Sequence, residues 1–140
     1  MKKILLITAL LLISLNVFSQ SDSLQKDSVY FKTERMAEFK GGQQELFMYL
    51  SQNIKYPEHE MTEGKEGTVY VSFVIDKVGK VTNAKVIKGV TDNFNNEALR
   101  VVNQMPDWIP AEQDGKMVSV QFNLPMKFSV NVKDDEKKKN

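Results

Sequence analysis

Side chains able to do chemistry are few in this sequence and badly spaced for it. The chain has no cysteine and one histidine, His59. Disulfides and thiol chemistry are therefore absent. His59 stands in Glu58-His59-Glu60, and a metal site on a helix face needs partners at i, i+4, with a second imidazole that this chain lacks. There is no Gly-x-Ser-x-Gly elbow, no phosphate-cradling loop and no carboxylate pair pinned to one rigid element. General acid–base work needs positioned groups, so the residue types point away from an enzyme, a cofactor or a small-molecule substrate.

Charge narrows the partners further. The formal net charge is +1, and removing Lys2 and Lys3 makes it −1. A near-neutral chain is a poor match for nucleic acid or an anionic membrane, both of which select basic surfaces.

The element that must organise any site is Gly67–Lys88, which reads as a β-hairpin. Val69, Val71, Phe73 and Ile75 alternate with Thr68, Tyr70, Ser72 and Val74, the period of a strand. Asp76–Lys80 is a polar turn with Gly79 where positive φ is cheap. In Val81–Lys88 the apolar spacing slips by one between Val81 and Ala84, which predicts a β-bulge near Thr82-Asn83. A lone hairpin is marginal, so a helix and a third strand must cover it.

The flanks supply both. A helix is expected over about Gly42–Asn53, entered sharply at Gly41-Gly42, with Leu46, Phe47, Leu50 and Ile54 on one face and Phe47 and Tyr49 packed in the core. Pro57 prevents its continuation. Glu58–Glu66 reads as a solvated linker with room for one helical turn. A second helix is expected over roughly Asn93–Met105, ended by Pro106, with Glu97, Arg100 and Gln104 facing water. Trp108 reads as a plug closing the helix–sheet core, and Glu112–Lys116 as a polar turn.

The last strand is expected over Met117–Val130, where Val118, Val120, Phe122, Leu124, Met126, Phe128 and Val130 alternate with polar positions. Pro125 has no N–H for a ladder, so one side of this strand should be a free edge. Such an edge either templates an added strand or is merely tolerated, with Pro125 and Lys127 guarding against aggregation.

At the N-terminus, Lys2-Lys3, the apolar run Ile4–Leu15 and the small Ser19 have the layout of a signal peptide over residues 1–19. The competing reading is a retained inner-membrane anchor over residues 4–18, although a spanning helix needs ~20 apolar residues. Residues 20–37 read as a polar tether in which Val29-Tyr30-Phe31 forms a short strand or lies on the surface. Residues 131–140 read as a charged tail.

These residues in this order resemble a known family. Tyr56-Pro57, Gly67-Thr68-Val69 with Phe73 and Asp76, Gly79-Lys80-Val81, Glu97-Ala98-Leu99, Trp108, Pro110, Gly115-Lys116 and the strand from Val118 to Phe128 are similar to the C-terminal domain of TonB. Phe39-x-Gly41-Gly42 and the Leu-rich helix before Asn53-Ile54-x-Tyr56-Pro57 resemble the form typical of the Bacteroidetes lineage. The likeness covers a domain over residues 38–130.

It implies an α+β fold, a three-stranded antiparallel sheet packed by two helices, and a periplasmic location. It also implies capture of an extended segment, the TonB box of outer-membrane transporters, as a strand added to the last strand. Carried over, the partner-binding residues are Ser119, Val120, Gln121, Phe122, Asn123, Leu124 and Lys127, with Asn53 and Lys55 from the stretch before Tyr56-Pro57. Side chains such as Ser119, Gln121 and Asn123 would tune selectivity. Full-length TonB keeps a membrane helix and a long Pro-rich spacer, whereas here the stretch between Gln20 and Glu38 reaches only ~60 Å when fully extended. The alternative is a structural domain that forms a homodimer, or binds another periplasmic protein, through the same edge without transducing energy.

Overall fold

The alternation at Val69, Val71, Phe73 and Ile75 does what it predicts. In a computed structural model that describes residues 28–130, all four side chains are buried on the inner face of β1 (Gly67–Ile75). The expected signal peptide or anchor and the charged tail lie outside the described residues. Full burial of such side chains contributes about 1.5–3 kcal/mol each, which makes this strand the spine of the core.

β1 pairs antiparallel on one side with β2 (Val81–Lys88) and on the other with β5 (Val120–Phe128), giving the order β2-β1-β5. The β1–β2 register jumps between Ser72↔Lys85 and Val74↔Thr82, which leaves one extra residue on β2, and Asn83 takes φ 52. This is the bulge expected near Thr82-Asn83. A second shift, between Tyr70↔Lys88 and Val71↔Val86, had no signal in the spacing.

The described residues form three helices, the two expected and a short third. α1 (Gly42–Asn53) has the expected bounds and starts from Gly41 at φ 90, a left-handed conformation that glycine adopts without strain. α2 (Glu58–Thr62) is little more than one turn of helix, in the stretch read as a linker with room for one. α3 (Asp92–Asn103) begins at Thr91, whose Oγ1 accepts from the Phe94 N–H at 3.1 Å, and it buries Phe94, Ala98, Val101 and Val102.

Two aromatic groups hold these layers together. Trp108 packs against Phe39, Phe73 and Phe122 with ring centroids 5.4, 5.8 and 5.1 Å away. Phe94 stacks on Phe128 at 4.3 Å, with Tyr56 edge-on to both. Both arrangements are favourable quadrupole geometries. Trp108 is the plug expected of it.

Four expectations need correction. The strand read over Met117–Val130 is interrupted at Ser119: β4 (Lys116–Val118) turns back on β3 (Ala111–Gln113) as a separate hairpin. Its turn is Asp114-Gly115 with φ 51 and 73, two positive values that suit a two-residue hairpin. The stretch read as tether is bound to the domain from Tyr30 onward. Tyr30 bridges Val120, Arg35 bridges Glu112, Glu38 bridges Ile109, and Thr33 and Ala37 are buried.

Phe47, assigned to the core, is 63% exposed, because Leu46 and Leu50 alone fill the buried stripe of α1. Glu97 does not face water. Its carboxylate accepts from the Lys55 N–H at 2.7 Å and from Arg100 Nη2 and Nε at 2.6 and 2.9 Å. Arg100 Nη2 also donates to the Asn53 carbonyl at 2.7 Å, so the pair joins α3 to the end of α1.

Candidate functional site

The residues expected to act begin with β5. Its side chains alternate, with Val120, Leu124, Met126 and Phe128 buried and Asn123, Pro125 and Lys127 exposed. Its backbone alternates as well. The Gln121 N–H donates to the Tyr30 carbonyl at 2.8 Å, away from β1. By the period of an antiparallel strand, Gln121, Asn123, Pro125 and Lys127 therefore turn their backbone groups outward, and the even-numbered positions bond to β1. Pro125 lies opposite Tyr70, and the N–H it lacks belongs to the outward side, so no bond to β1 is lost. The edge inferred from Pro125 is where the sequence put it.

That edge is partly occupied by the chain itself. Tyr30 runs parallel to β5 at Val120, its N–H donating to the Ser119 carbonyl at 3.0 Å. Beyond this bridge no strand among the described residues pairs with the outward side, and Asn123 and Lys127 present their N–H groups there. A row of unpaired backbone donors and acceptors is a template for an added strand.

Side chains divide less evenly than expected. Gln121 donates from Nε2 to Ser72 Oγ at 2.7 Å, on the sheet face away from the helices, so its amide is spent inside the domain. Val120 and Leu124 are core residues, and Phe122 leans on Phe73 and Trp108. Asn123 and Lys127 remain as exposed contacts. Asn53 and Lys55 are held on α3, the first through its carbonyl and the second through its N–H, and the hydrogen bonds join them to Arg100 and Glu97 rather than to β5.

Beside the edge lies a feature that sequence reasoning missed. A groove of about 370 Å³ separates α1 from β5, lined by Leu46, Phe47, Leu50, Phe122 and Leu124 with Trp108. The exposed phenylalanine on α1 is the signal that could have found it.

The acidic stretch with the histidine does structural work instead. Glu60 is 2% exposed; its carboxylate accepts from Thr91 Oγ1 at 3.1 Å and from Asn93 Nδ2 at 3.0 and 3.1 Å, pinning α2 to the start of α3. Burial alone would raise its pKa, but a backbone N–H, Asn93 and Thr91 together pull it below the ordinary carboxylate value. Next to it, His59 Nε2 sits on the surface 3.4 Å from Glu63 Oε1. The described residues hold no cluster of His, Cys, Asp and Glu fit for a metal ion, and no helix among them is long and apolar enough to cross a membrane.

Comparison with known proteins finds relatives of this chain. The Protein TonB of Helicobacter pylori strain ATCC 700392 / 26695 is 32% identical over 82 residues, covering 58% of this chain and 27% of the relative. The strain J99 protein matches equally over 82 residues and 28% of its own length. The chain thus spans about a quarter of the curated relatives it matches. Two NMR solution structures of Helicobacter pylori TonB-CTD align with TM-scores of 0.48 and 0.47 at 28% and 30% identity. They cover 63% and 61% of this chain, and 79% and 90% of their own. The sequence profile of the family described as Gram-negative bacterial TonB protein C-terminal matches residues 52–130, more than half of the chain, so the chain belongs to that family.

Proposed function

We propose that this chain is a periplasmic recognition module of TonB-dependent transport, and that it captures an extended segment of an outer-membrane transporter, the TonB box, as a strand added to β5. The observation that carries this reading is the outward side of β5. At Gln121, Asn123, Pro125 and Lys127 its backbone groups face away from β1, and at Gln121 one of them already bonds to an added segment, Tyr30. Main-chain bonds would supply affinity, with Ser119, Val120, Gln121, Phe122, Asn123, Leu124 and Lys127 forming the seat. Asn53 and Lys55, fixed on α3, would lie outside the added strand and serve a second contact with the transporter.

The test is an NMR titration of the protein with synthetic TonB-box peptides. The expected result is a shift of the Asn123 and Lys127 amides, with slower hydrogen exchange at both. Peptide at millimolar concentration that leaves both amides unmoved overturns the reading.

A further inference from the structure

The groove between α1 and β5 offers more than a backbone ladder uses. An added strand turns alternate side chains to the same face, so every second residue beside Phe122 and Leu124 would be directed toward the groove. Its walls are apolar: Leu46, Phe47 and Leu50 from α1, Phe122 and Leu124 from β5. Trp108 lines it too, is 2% exposed, and its Nε1 is the buried side-chain polar atom without a hydrogen-bond partner among the described residues. The one charged residue along the lining is Glu38. Nearly all of α1 lies before Gln52, so this wall stands outside the residues that match the family profile.

We propose that the groove is a side-chain socket for an extended peptide that carries a large aliphatic residue flanked by a basic one. The aliphatic side chain seats against Leu46, Leu50 and Leu124 beside the Trp108 ring, and the basic residue lies by Glu38. This rests on the strand-addition reading above and adds which side chain the incoming strand must bring.

Trp108 is the only tryptophan in the chain, so its indole N–H gives one unambiguous resonance. The protein is titrated with the peptide Lys-Thr-Leu-Thr-Val-Thr, with the same peptide carrying alanine in place of leucine, and with one carrying glutamate in place of lysine. The leucine peptide should bind at least about fivefold tighter than the alanine peptide, since three buried carbons separate them. Both leucine-bearing peptides should move the indole resonance and the alanine peptide should not, and the glutamate peptide should bind more weakly at low salt. Phe47→Ala removes an exposed wall and should cut the leucine preference to about twofold or less, while the Asn123 and Lys127 amides still respond. Equal binding of the leucine and alanine peptides with an unmoved indole overturns the socket and leaves strand addition standing. Silence at Asn123 and Lys127 with every peptide overturns both. The peptide series on the unmodified protein decides the matter even where Phe47→Ala proves unstable.

Discussion

The Gln121 N–H donates to the Tyr30 carbonyl at 2.8 Å, and the Tyr30 N–H donates to the Ser119 carbonyl at 3.0 Å, so a single residue from upstream holds the first position on the outward side of β5. Any strand that reaches Gln121 must displace it. Tyr30→Pro deletes one of the two bonds without touching the core, because Tyr30 is partly exposed. A backbone hydrogen bond is worth about 0.5–1.5 kcal/mol net, so peptide affinity for the β5 edge should rise about two- to tenfold. Faster amide exchange at Gln121 in the free protein is the companion measurement, and an unchanged rate would show that the bridge protects nothing.

How much of this could be read from residues alone depends on whether a feature leaves a side-chain period. β1, α1 and α3 did, because their buried faces repeat at two or at about 3.6 residues. The bulge at Asn83 did as well, as a slip in that repeat. The break at Ser119 did not. Val118 and Val120 keep the same phase across it, although Val118 faces Ala111 and Val120 faces Ile75. Asp114-Gly115 was the available signal for that hairpin. Tyr30 left only the short apolar run Val29-Tyr30-Phe31, which reads as a strand or a surface segment and names no partner, because the bonds that dock it on β5 are main-chain. Glu97 was assigned to solvent because amphipathic reasoning knows one helix at a time, and the groups that use it, Arg100 and the Lys55 N–H, lie at a junction of two.

Gly79 should tolerate no side chain. Its φ is 90, its carbonyl accepts from the Trp108 N–H at 2.7 Å, and a Cβ there would run into the Trp108 carbonyl backbone. Gly79→Ala combines left-handed strain with a backbone collision, so a loss of about 2–4 kcal/mol is expected. For a domain of this size that lowers Tm by roughly 10 °C or more in thermal unfolding. The Trp108 fluorescence should change with it, since the turn and the indole share this contact. A Tm within a few degrees of the parent would contradict the account.

Acid should loosen the junction of α2 and α3. The folded pKa of Glu60 is lowered by its backbone bond and by Asn93 and Thr91, in spite of burial that pushes the other way. Glu97 is lowered chiefly by its bonds to Arg100. A depressed folded pKa means that the unfolded state takes up the proton first on acidification. These groups therefore stabilise the fold fully above the unfolded value of about 4.3, and that stability is lost as pH falls through their folded values. Denaturant midpoints taken from pH 6 to pH 3 should fall, and Glu60→Gln should flatten the decline while lowering the midpoint at pH 6. An acid limb of undiminished slope in Glu60→Gln would assign the titration to other carboxylates.

Asn123 is the position where the edge can be closed without disturbing the sheet. Its backbone groups point away from β1, its side chain is exposed, and Phe122 and Leu124 carry the bonds to β1 on either side. Asn123→Pro removes the outward N–H, as Pro125 already does two residues on, and prolines are tolerated on the outer side of an edge strand. Stability should therefore change by less than about 1 kcal/mol. Together with Pro125 the substitution leaves Lys127 as the only outward donor past Gln121, so an added strand loses its central bond. Affinity for an extended peptide should drop about three- to tenfold, one net hydrogen bond with its desolvated partner left over. Substituting Leu124 by proline serves as the contrast, because that N–H faces β1 and its removal should unfold the protein rather than weaken binding alone. If Asn123→Pro is folded and binds peptide as tightly as the parent, recognition runs through some other surface than the backbone of β5.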